Sequence, residues 1–267
     1  MKNELFSIGP ITIHGYGLMM AIGIIVAYSL VEYRGKKRGL DGDKIFNLAI
    51  WAVVCGLLGA KVLYLITRLP DLIADPSLIW HCIKDGFVVY GSIIGGVLGA
   101  FAYCKIGKLP FLQVFDLTVP GLALAQGIGR IGCLLAGCCY GMEVSADNPI
   151  AIVFHDSHYA PNDVPLLPTQ IISSALNVLH FAVLMFLSKK LKYDGQVAAC
   201  YLIFYSIGRF ALEFFRGDLI RGNVGTLTTS QFISVFILLA GVIMFFVVPR
   251  LPKKEETSEP TPEETQI

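Results

Sequence analysis

The sequence predicts an all-α, polytopic membrane protein of about seven transmembrane helices. Of the 267 residues, 55% are hydrophobic and only 15% are charged, whereas soluble domains carry about 25% charged residues. The mean hydropathy is +0.66. Seven windows are long and apolar enough to cross a bilayer as helices. They cover roughly 14–32, 46–67, 87–106, 114–139, 167–188, 196–215 and 228–248.

Glycines in two of these windows predict how the helices pack. The third window contains Gly91, Gly95, Gly96 and Gly99, and small residues let a neighbouring helix approach closely. The fourth carries repeated glycines, each of which lowers helix stability by about 1 kcal/mol relative to Ala. We therefore expect the fourth span to break or to end early. Non-helical backbone at membrane depth is tolerated only beside a cavity or buried protein, which indicates a site there.

The basic residues predict the orientation of the bundle. Thirteen Lys and Arg residues lie after the first, third and fifth spans and in the tail, and five lie on the opposite side. By the positive-inside rule, the N-terminus is outside and the C-terminus is cytoplasmic. Residues 1–250 then form one transmembrane domain. Its longest outer connection, about 142–166, lacks Lys and Arg and is expected to form a small lid or head.

The composition of the chain narrows its possible functions and predicts the state of its C-terminal tail. Residues 251–267 are rich in Pro and Glu and are expected to form a disordered cytoplasmic tail. The net charge of +1 excludes a broadly basic nucleic-acid binder, so no nucleic-acid partner is expected. The 7 Cys fit neither a secreted disulfide scaffold nor a redox motif. We expect no cofactor, and the lipid bilayer is the protein's surroundings.

Two arginines lie inside stretches that otherwise predict membrane spans. Arg130 belongs to GLALAQGIGRIGCLLAGCC and Arg209 to CYLIFYSIGRFALEFF. A guanidinium stays charged at physiological pH, and placing one at the centre of a membrane helix costs roughly 2.5–3.5 kcal/mol on insertion scales. Two such charges predict a polar cavity that receives an anion. In a bilayer the abundant anion is a phospholipid headgroup.

The sixth span carries a polar stripe. Tyr205, Arg209, Glu213 and Arg216 recur at intervals of four, four and three residues, so they lie on one side of a helix. Arg209 and Glu213 are spaced as an i, i+4 ion pair. One interpretation is an internal ion pair that only fixes helix packing. The other is a cationic wall beside a polar chamber, with Arg216 either at its outer rim or simply reaching the membrane interface.

The segment GRIGCLLAGCCYG raises the question of a thiol or metal site. Gly129 beside Arg130 leaves room for a ligand to approach the backbone. Cys133, Cys138 and Cys139 lack the paired spacing and matching His of common zinc sites, so no metal site is expected. A nucleophilic Cys would need a neighbouring base, and none is evident. The favoured interpretation is that these thiols are small packing residues.

Other polar residues in the spans leave alternatives open. Tyr16 begins the first span and is either an interfacial aromatic residue or a headgroup donor. Tyr90 begins the third span from the outer side. Lys61 is a third intramembrane cation, for which a structural role and a ligand role are about equally favoured. His180 on an apolar helix is interpreted as an interior histidine with its partners satisfied, rather than a catalyst.

These motifs together resemble the bacterial prolipoprotein diacylglyceryl transferase family. The resemblance runs from FSIGPITIHGYGLMM through GRIG and YSIGRFALEFFR to the last span. It implies transfer of diacylglycerol from phosphatidylglycerol to the lipobox cysteine of a prolipoprotein signal peptide, with release of glycerol phosphate. The resemblance also implies a multi-pass protein of the bacterial cytoplasmic membrane.

The resemblance assigns roles by position. Arg130, Gly129, Tyr16 and Arg216 are implied to bind the substrate, and Arg209 to be essential for catalysis. The remaining catalytic positions are Tyr205, Glu213 and Tyr90.

The chain departs from the family pattern at several polar positions. Cys133, Ala136 and Cys138 replace two Asn and one Glu of the family signature, and Tyr90 stands where many members have His. In a further segment, LPTQIIS keeps Pro168 and Gln170 of a longer polar motif. These departures leave two alternatives beside the transferase: a non-catalytic member that binds phospholipid or prolipoprotein, and an anion transporter. A transporter would normally show repeat symmetry, which the sequence lacks.

Overall fold

Long helices follow one another in the order that the hydrophobic windows predict. The computed structural model describes residues 4–8, 11–84, 86–218 and 222–250, so the predicted tail at 251–267 lies outside the described residues. Within these ranges the long helices are α1 (Gly15–Lys36), α2 (Gly42–Thr67), α5 (Val89–Ile106), α6 (Phe111–Ala136), α7 (Thr169–Leu187), α8 (Gln196–Glu213) and α9 (Thr229–Val247). Two short helices, α3 (Leu69–Ala74) and α4 (Ile79–Lys84), connect α2 to α5.

Six of these helices are long and apolar enough to cross a membrane: all of the long ones except α8. Helix α8 is also long, but it carries the polar stripe that includes Arg209 and Glu213. The prediction of an all-α, polytopic membrane protein is confirmed. The placement of the N-terminus outside stays a prediction.

Short hairpins complete the connections between helices. Strands β1 (Glu4–Ile8) and β2 (Ile11–His14) pair antiparallel directly before α1, and β5 (Asn223–Val224) pairs with β6 (Leu227–Thr228) before α9. In the connection predicted as a lid or head, β3 (Ile152–Val153) pairs with β4 (Pro165–Leu166).

The connection also has its own apolar cluster, formed by Phe154, Ala160 and Leu166. This loop is therefore a small folded unit rather than an irregular strap.

The expected interruption of the fourth span does not occur, because α6 is one continuous helix from Phe111 to Ala136. Its glycines serve close packing instead. A Cβ on Gly121 would lie 3.1 Å from the carbonyl oxygen of Ala27, and one on Gly132 would lie 3.1 Å from the Cβ of Met19. Both contacts are with α1, so tight helix–helix packing offsets the low helix propensity of Gly. The helix ends at Gly137, which is in the left-handed conformation.

A buried carboxylate ties α6 to the start of α8. Asp116 is 4% exposed, and it accepts hydrogen bonds from the backbone N–H groups of Gly195 and Ala198, each at 2.7 Å. Helix N-termini leave N–H groups without intrahelical partners, and here a residue from another helix supplies the cap. The aliphatic core packs around this junction and includes Val119, Leu184 and Tyr201. Helix α8 is thereby fixed against the middle of the bundle.

Candidate active site

Helices α6, α7 and α8 enclose a cavity of about 320 Å³. Its polar wall consists of Arg130, Ser173, Asn177, His180, Tyr205 and Arg209. Apart from Gly208, the remaining wall is apolar and includes Leu176, Leu179 and Val183. Arg130 and Arg209 also line a smaller adjoining recess with Arg216. Both intramembrane arginines therefore line the cavity and the adjoining recess.

Arg209 and Arg216 are each held by a carboxylate. Arg209 Nη2 lies 2.9 Å from Glu213 Oε2 and donates to Ser230 Oγ at 2.7 Å. Arg216 donates to both carboxylate oxygens of Asp218, from Nε at 2.7 Å and from Nη2 at 2.5 Å. Glu213 Oε2 is 4.0 Å from Arg216 Nε, so this carboxylate stands between the two guanidinium groups.

Arg130 is different, because its guanidinium makes no hydrogen bond or ion pair with the residues that the structure describes. Three guanidinium groups thus face the two carboxylates of Glu213 and Asp218 around this space. One positive charge is left over. A half-buried guanidinium without a partner is costly unless an anion approaches it, so the arrangement accepts an anion between α6 and α8.

An aromatic ladder extends the site away from the arginines. Tyr205 lines the cavity and stacks on Tyr201, with ring centroids 5.8 Å apart. Tyr201 stacks in turn on His180, at 5.1 Å and nearly parallel. His180 is 9% exposed, and its Nε2 has no hydrogen-bond partner among the described residues. The imidazole therefore differs from the expected interior histidine with satisfied partners.

The pKa of Arg216, just beyond the end of α8, reflects two opposing effects. Burial lowers the pKa of this guanidinium, but its hydrogen bonds and charge interactions with Asp218 and Cys139 together raise it more, so the net shift is upward. Arg216 is consequently charged whenever the protein is folded, and it stays bound to Asp218 rather than being available to a ligand.

Comparisons with known proteins place the chain. A sequence model of the family described as Prolipoprotein diacylglyceryl transferase matches residues 3–247. The chain belongs to the prolipoprotein diacylglyceryl transferase family. It is 48% identical to the phosphatidylglycerol–prolipoprotein diacylglyceryl transferase 2 of Clostridium perfringens, over 97% of this chain and 100% of that relative.

Two further relatives carry the name phosphatidylglycerol–prolipoprotein diacylglyceryl transferase. The one from Clostridium tetani is 45% identical over 92% of this chain and 97% of its own length. The one from Dehalococcoides mccartyi is 34% identical over 94% of both chains. The family resemblance predicted from the sequence is therefore confirmed, and the apolar helices make this family member a multi-pass membrane protein.

Within this prolipoprotein diacylglyceryl transferase family member, the predicted site residues divide into two groups. Arg130, Tyr205 and Arg209 line the cavity, and Arg216 lines the adjoining recess. Glu213 reaches the same place through its ion pair with Arg209. The polar stripe of α8 is thus brought against the end of α6 that carries Arg130.

Tyr16, Gly129 and Tyr90 lie differently. Tyr16 begins α1 beside the end of α6, is 43% exposed and interacts electrostatically with Arg130, but does not line the cavity. Gly129 is buried, and a Cβ there would lie 3.4 Å from the sulfur of Met20. Tyr90 begins α5, which packs against α2, and it lines neither the cavity nor the recess. The structure does not bring Tyr90 to Arg130 and Arg209.

Two polar residues of the cavity, Ser173 and Asn177, were not singled out from the sequence, and His180 was interpreted there as an interior residue rather than part of a site. Ser173, Asn177 and His180 line the cavity from α7, at intervals of four and three residues on an apolar helix. That spacing is the same signal that revealed the stripe of α8. Lys61, by contrast, donates to the carbonyl oxygens of Cys82 and Gly86, at 3.1 and 2.9 Å. Those contacts favour the structural alternative for this lysine.

Proposed function

We propose that this protein transfers the diacylglyceryl group of phosphatidylglycerol to the cysteine thiol of a prolipoprotein lipobox, in the bacterial cytoplasmic membrane. The observation that carries the proposal is Arg130, whose guanidinium has no hydrogen bond or ion pair among the described residues, beside Arg209 in one cavity that is otherwise largely apolar. A phospholipid has this same combination of one phosphate and two hydrocarbon chains. The names of the relatives, which specify phosphatidylglycerol and prolipoprotein, support the same substrates.

The phosphate binds between Arg130 and Arg209. Guanidinium groups form paired, charge-assisted hydrogen bonds with phosphate oxygens. The N–H groups of the Arg130 guanidinium donate to no described residue, so they are available to the phosphate. Arg209 is oriented by Glu213 and Ser230, which fixes its plane before the lipid arrives. The acyl chains lie along Leu176, Leu179 and Val183, whose apolar side chains match the hydrocarbon of the lipid.

Chemistry takes place at carbon three of the lipid's glycerol. The prolipoprotein sulfur forms a thioether bond to this carbon, and the bond from carbon three to the phosphate oxygen breaks, releasing glycerol phosphate. Negative charge grows on the departing phosphate, so the arginines stabilise the transition state more than the bound substrate. Removing one such charged donor typically costs about 3–4 kcal/mol of activation free energy.

The thiol proton must leave before or during attack, since a free Cys has a pKa of about 8.5. Glu213 accepts this proton in our proposal, because its carboxylate is buried beside the recess. Its ion pair with Arg209, at 2.9 Å, holds the carboxylate in place. Tyr205, one helical turn from Arg209, orients the lipid or passes the proton on. Tyr90 remains a predicted catalytic residue, but it would have to act from outside the described cavity.

The direct test is a transfer assay with the purified protein, phosphatidylglycerol vesicles and a synthetic lipobox peptide. We expect the peptide to gain the mass of one diacylglyceryl unit and glycerol phosphate to appear in equal amount. A peptide with Ser in place of the lipobox Cys is the matched control and should gain nothing. Peptide binding without a mass gain would instead establish a non-catalytic member. Anion flux through reconstituted liposomes without transfer would establish a transporter.

A further inference from the structure

We propose that Cys133, Cys138 and Cys139 form a binding site for one thiophilic metal ion of the Zn²⁺ class. The three sulfur atoms lie within 4.8 Å of one another. Tetrahedral zinc with bonds of about 2.3 Å to sulfur holds neighbouring thiolates about 3.8 Å apart. Rotation of the cysteine side chains therefore suffices to close the site around an ion.

The end of α6 explains why these three thiols meet. Cys138 N–H donates to the carbonyl of Cys133 at 3.1 Å, and Gly137 N–H donates to that of Leu134 at 3.1 Å. These two bonds, around the left-handed Gly137, form a Schellman motif. In that motif the side chains at the positions of Cys133 and Cys138 contact each other across the turn. Cys139 follows with a φ of 59°, and this turn keeps its sulfur in the cluster.

Helix α7 holds the cysteine turn in place. Thr169 Oγ1 donates to the carbonyl of Cys139, and Gln170 Nε2 donates to the carbonyl of Cys138, both at 2.9 Å. Thr169 and Gln170 are themselves 4% and 1% exposed. The backbone that carries two of the thiols is thus fixed by two buried side chains at the start of a separate helix. A metal site gains affinity when its ligands are ordered before the ion binds.

The surrounding charges favour metal bound as a thiolate complex. A divalent ion with three thiolates carries one net negative charge, and thiolates are the form that binds metal. Arg130 and Arg216 both interact electrostatically with Cys139, and they stabilise such an anionic complex. The cluster contains no carboxylate, so hard ions that need oxygen ligands, such as Mg²⁺ or Ca²⁺, do not fit it.

The distribution of the other cysteines argues against simple packing. Cys55, Cys82, Cys104 and Cys200 belong to no such cluster among the described residues, and Cys104 and Cys200 are buried singly in helices. Cysteines that only fill space in the core of this protein, such as Cys104 and Cys200, therefore do not cluster. The interpretation from the sequence, that the three thiols only fill space, is replaced here by a ligand set that shares residue Cys139 with the arginine recess.

The first test is metal binding by the purified protein in detergent under reducing conditions. We expect one Zn²⁺ per chain, and with Co²⁺ in its place a sulfur-to-metal charge-transfer absorption. Cys133→Ala, Cys138→Ala or Cys139→Ala should each weaken binding at least tenfold. Cys104→Ala, a buried helical cysteine outside the cluster, is the matched control and should bind like the unaltered protein. Stoichiometric Zn²⁺ binding by the triple cluster variant would overturn the proposal.

A second test needs no variant and so does not depend on folding of the mutants. The unaltered protein is treated with a maleimide with and without equimolar Zn²⁺, and the labelled cysteines are identified by mass spectrometry. Zn²⁺ should protect Cys138 and Cys139, while the half-buried Cys55 and Cys82 react equally in both samples. Equal labelling of the cluster with and without Zn²⁺ would refute the site. So would recovery of the cluster as a disulfide in protein kept under reductant.

Discussion

The α2–α5 pair and the α6–α8 group are held together by opposite means. Between α2 and α5 the backbones touch: a Cβ on Gly59 would lie 2.4 Å from the carbonyl oxygen of Gly91. Large apolar side chains of this pair, such as Leu57 and Leu98, are exposed. Between α6 and α8 the contacts are a buried core and the buried carboxylate of Asp116, which binds the first turn of α8.

The difference follows from the solvent that each region meets. In a bilayer, apolar side chains that face the lipid hydrocarbon incur no free-energy cost. Small residues and close backbone contact are therefore enough to join α2 to α5. Buried polar groups must find partners within the protein, and they have been gathered into the α6–α8 group. The anion site therefore lies in the α6–α8 group, where buried polar side chains already interact with one another. Four comparisons between variants of the two regions test this difference.

The largest effect is expected from the arginines of the cavity. Arg130→Ala or Arg209→Ala should lower the transfer rate by about a thousandfold, which corresponds to about 4 kcal/mol, with the protein still inserted in membranes. The transfer assay measures this directly. Arg68→Ala is the matched control in the α2–α5 region, because Arg68 is paired with Asp71 in an exposed position, and it should transfer normally. Wild-type rates in either cavity variant would refute the anion site.

Asp116 tests the polar core rather than the chemistry. Asp116→Ala leaves the N–H groups of Gly195 and Ala198 without their acceptor, and hydrogen bonds to a charged group contribute about 1.5–3 kcal/mol each. We expect about 3 kcal/mol less stability, measured as earlier thermal unfolding in detergent. Asp71→Ala, at an exposed carboxylate, should unfold like the unaltered protein. Equal unfolding of both variants would show that α8 is held by its apolar contacts alone.

A pair of neighbouring glycines tests the packing of α2 against α5. Gly95→Ala places a Cβ 2.3 Å from the carbonyl oxygen of Cys55, whereas at Gly96 the nearest atom is at 3.5 Å. Overpacking of a tight contact costs about 1–3 kcal/mol, so Gly95→Ala should be about 2 kcal/mol less stable. Gly96→Ala should be neutral. Unfolding measurements on both variants compare the positions, and similar stabilities would mean that this interface adapts freely.

The smallest effect compares two tyrosines from the two regions. Tyr205→Phe removes a hydroxyl from the cavity and should slow transfer about tenfold, or about 1.4 kcal/mol. Tyr90→Phe alters a residue outside the cavity and should slow transfer less than about threefold. Initial rates at saturating phosphatidylglycerol distinguish them. A larger loss for Tyr90→Phe would support its predicted catalytic role and require movement of α5 toward the site.

Much of the candidate site followed from local spacing. The stripe from Tyr205 to Arg216 is visible in the sequence because helical periodicity alone puts those residues on one side of α8. The meeting of Arg130 with Arg209 could be expected only from the cost of isolated charges in a membrane. The position of Tyr90 could not be predicted. Helix α5 packs against α2 rather than α7 or α8 because their glycine-lined faces fit closely together, and a single helix sequence does not show which partner will fit.

Composition and periodicity alone determined the membrane class, the order of the long helices and the stripe of α8, because these depend on each residue and its near neighbours in the chain. Tertiary structure decided the rest. It kept α6 continuous by packing its glycines against α1, left the Arg130 guanidinium without a hydrogen bond or ion pair among the described residues, and turned the chain at Gly137 so that three thiols meet. Those outcomes depend on distances between residues far apart in sequence or across a turn, which no local pattern specifies.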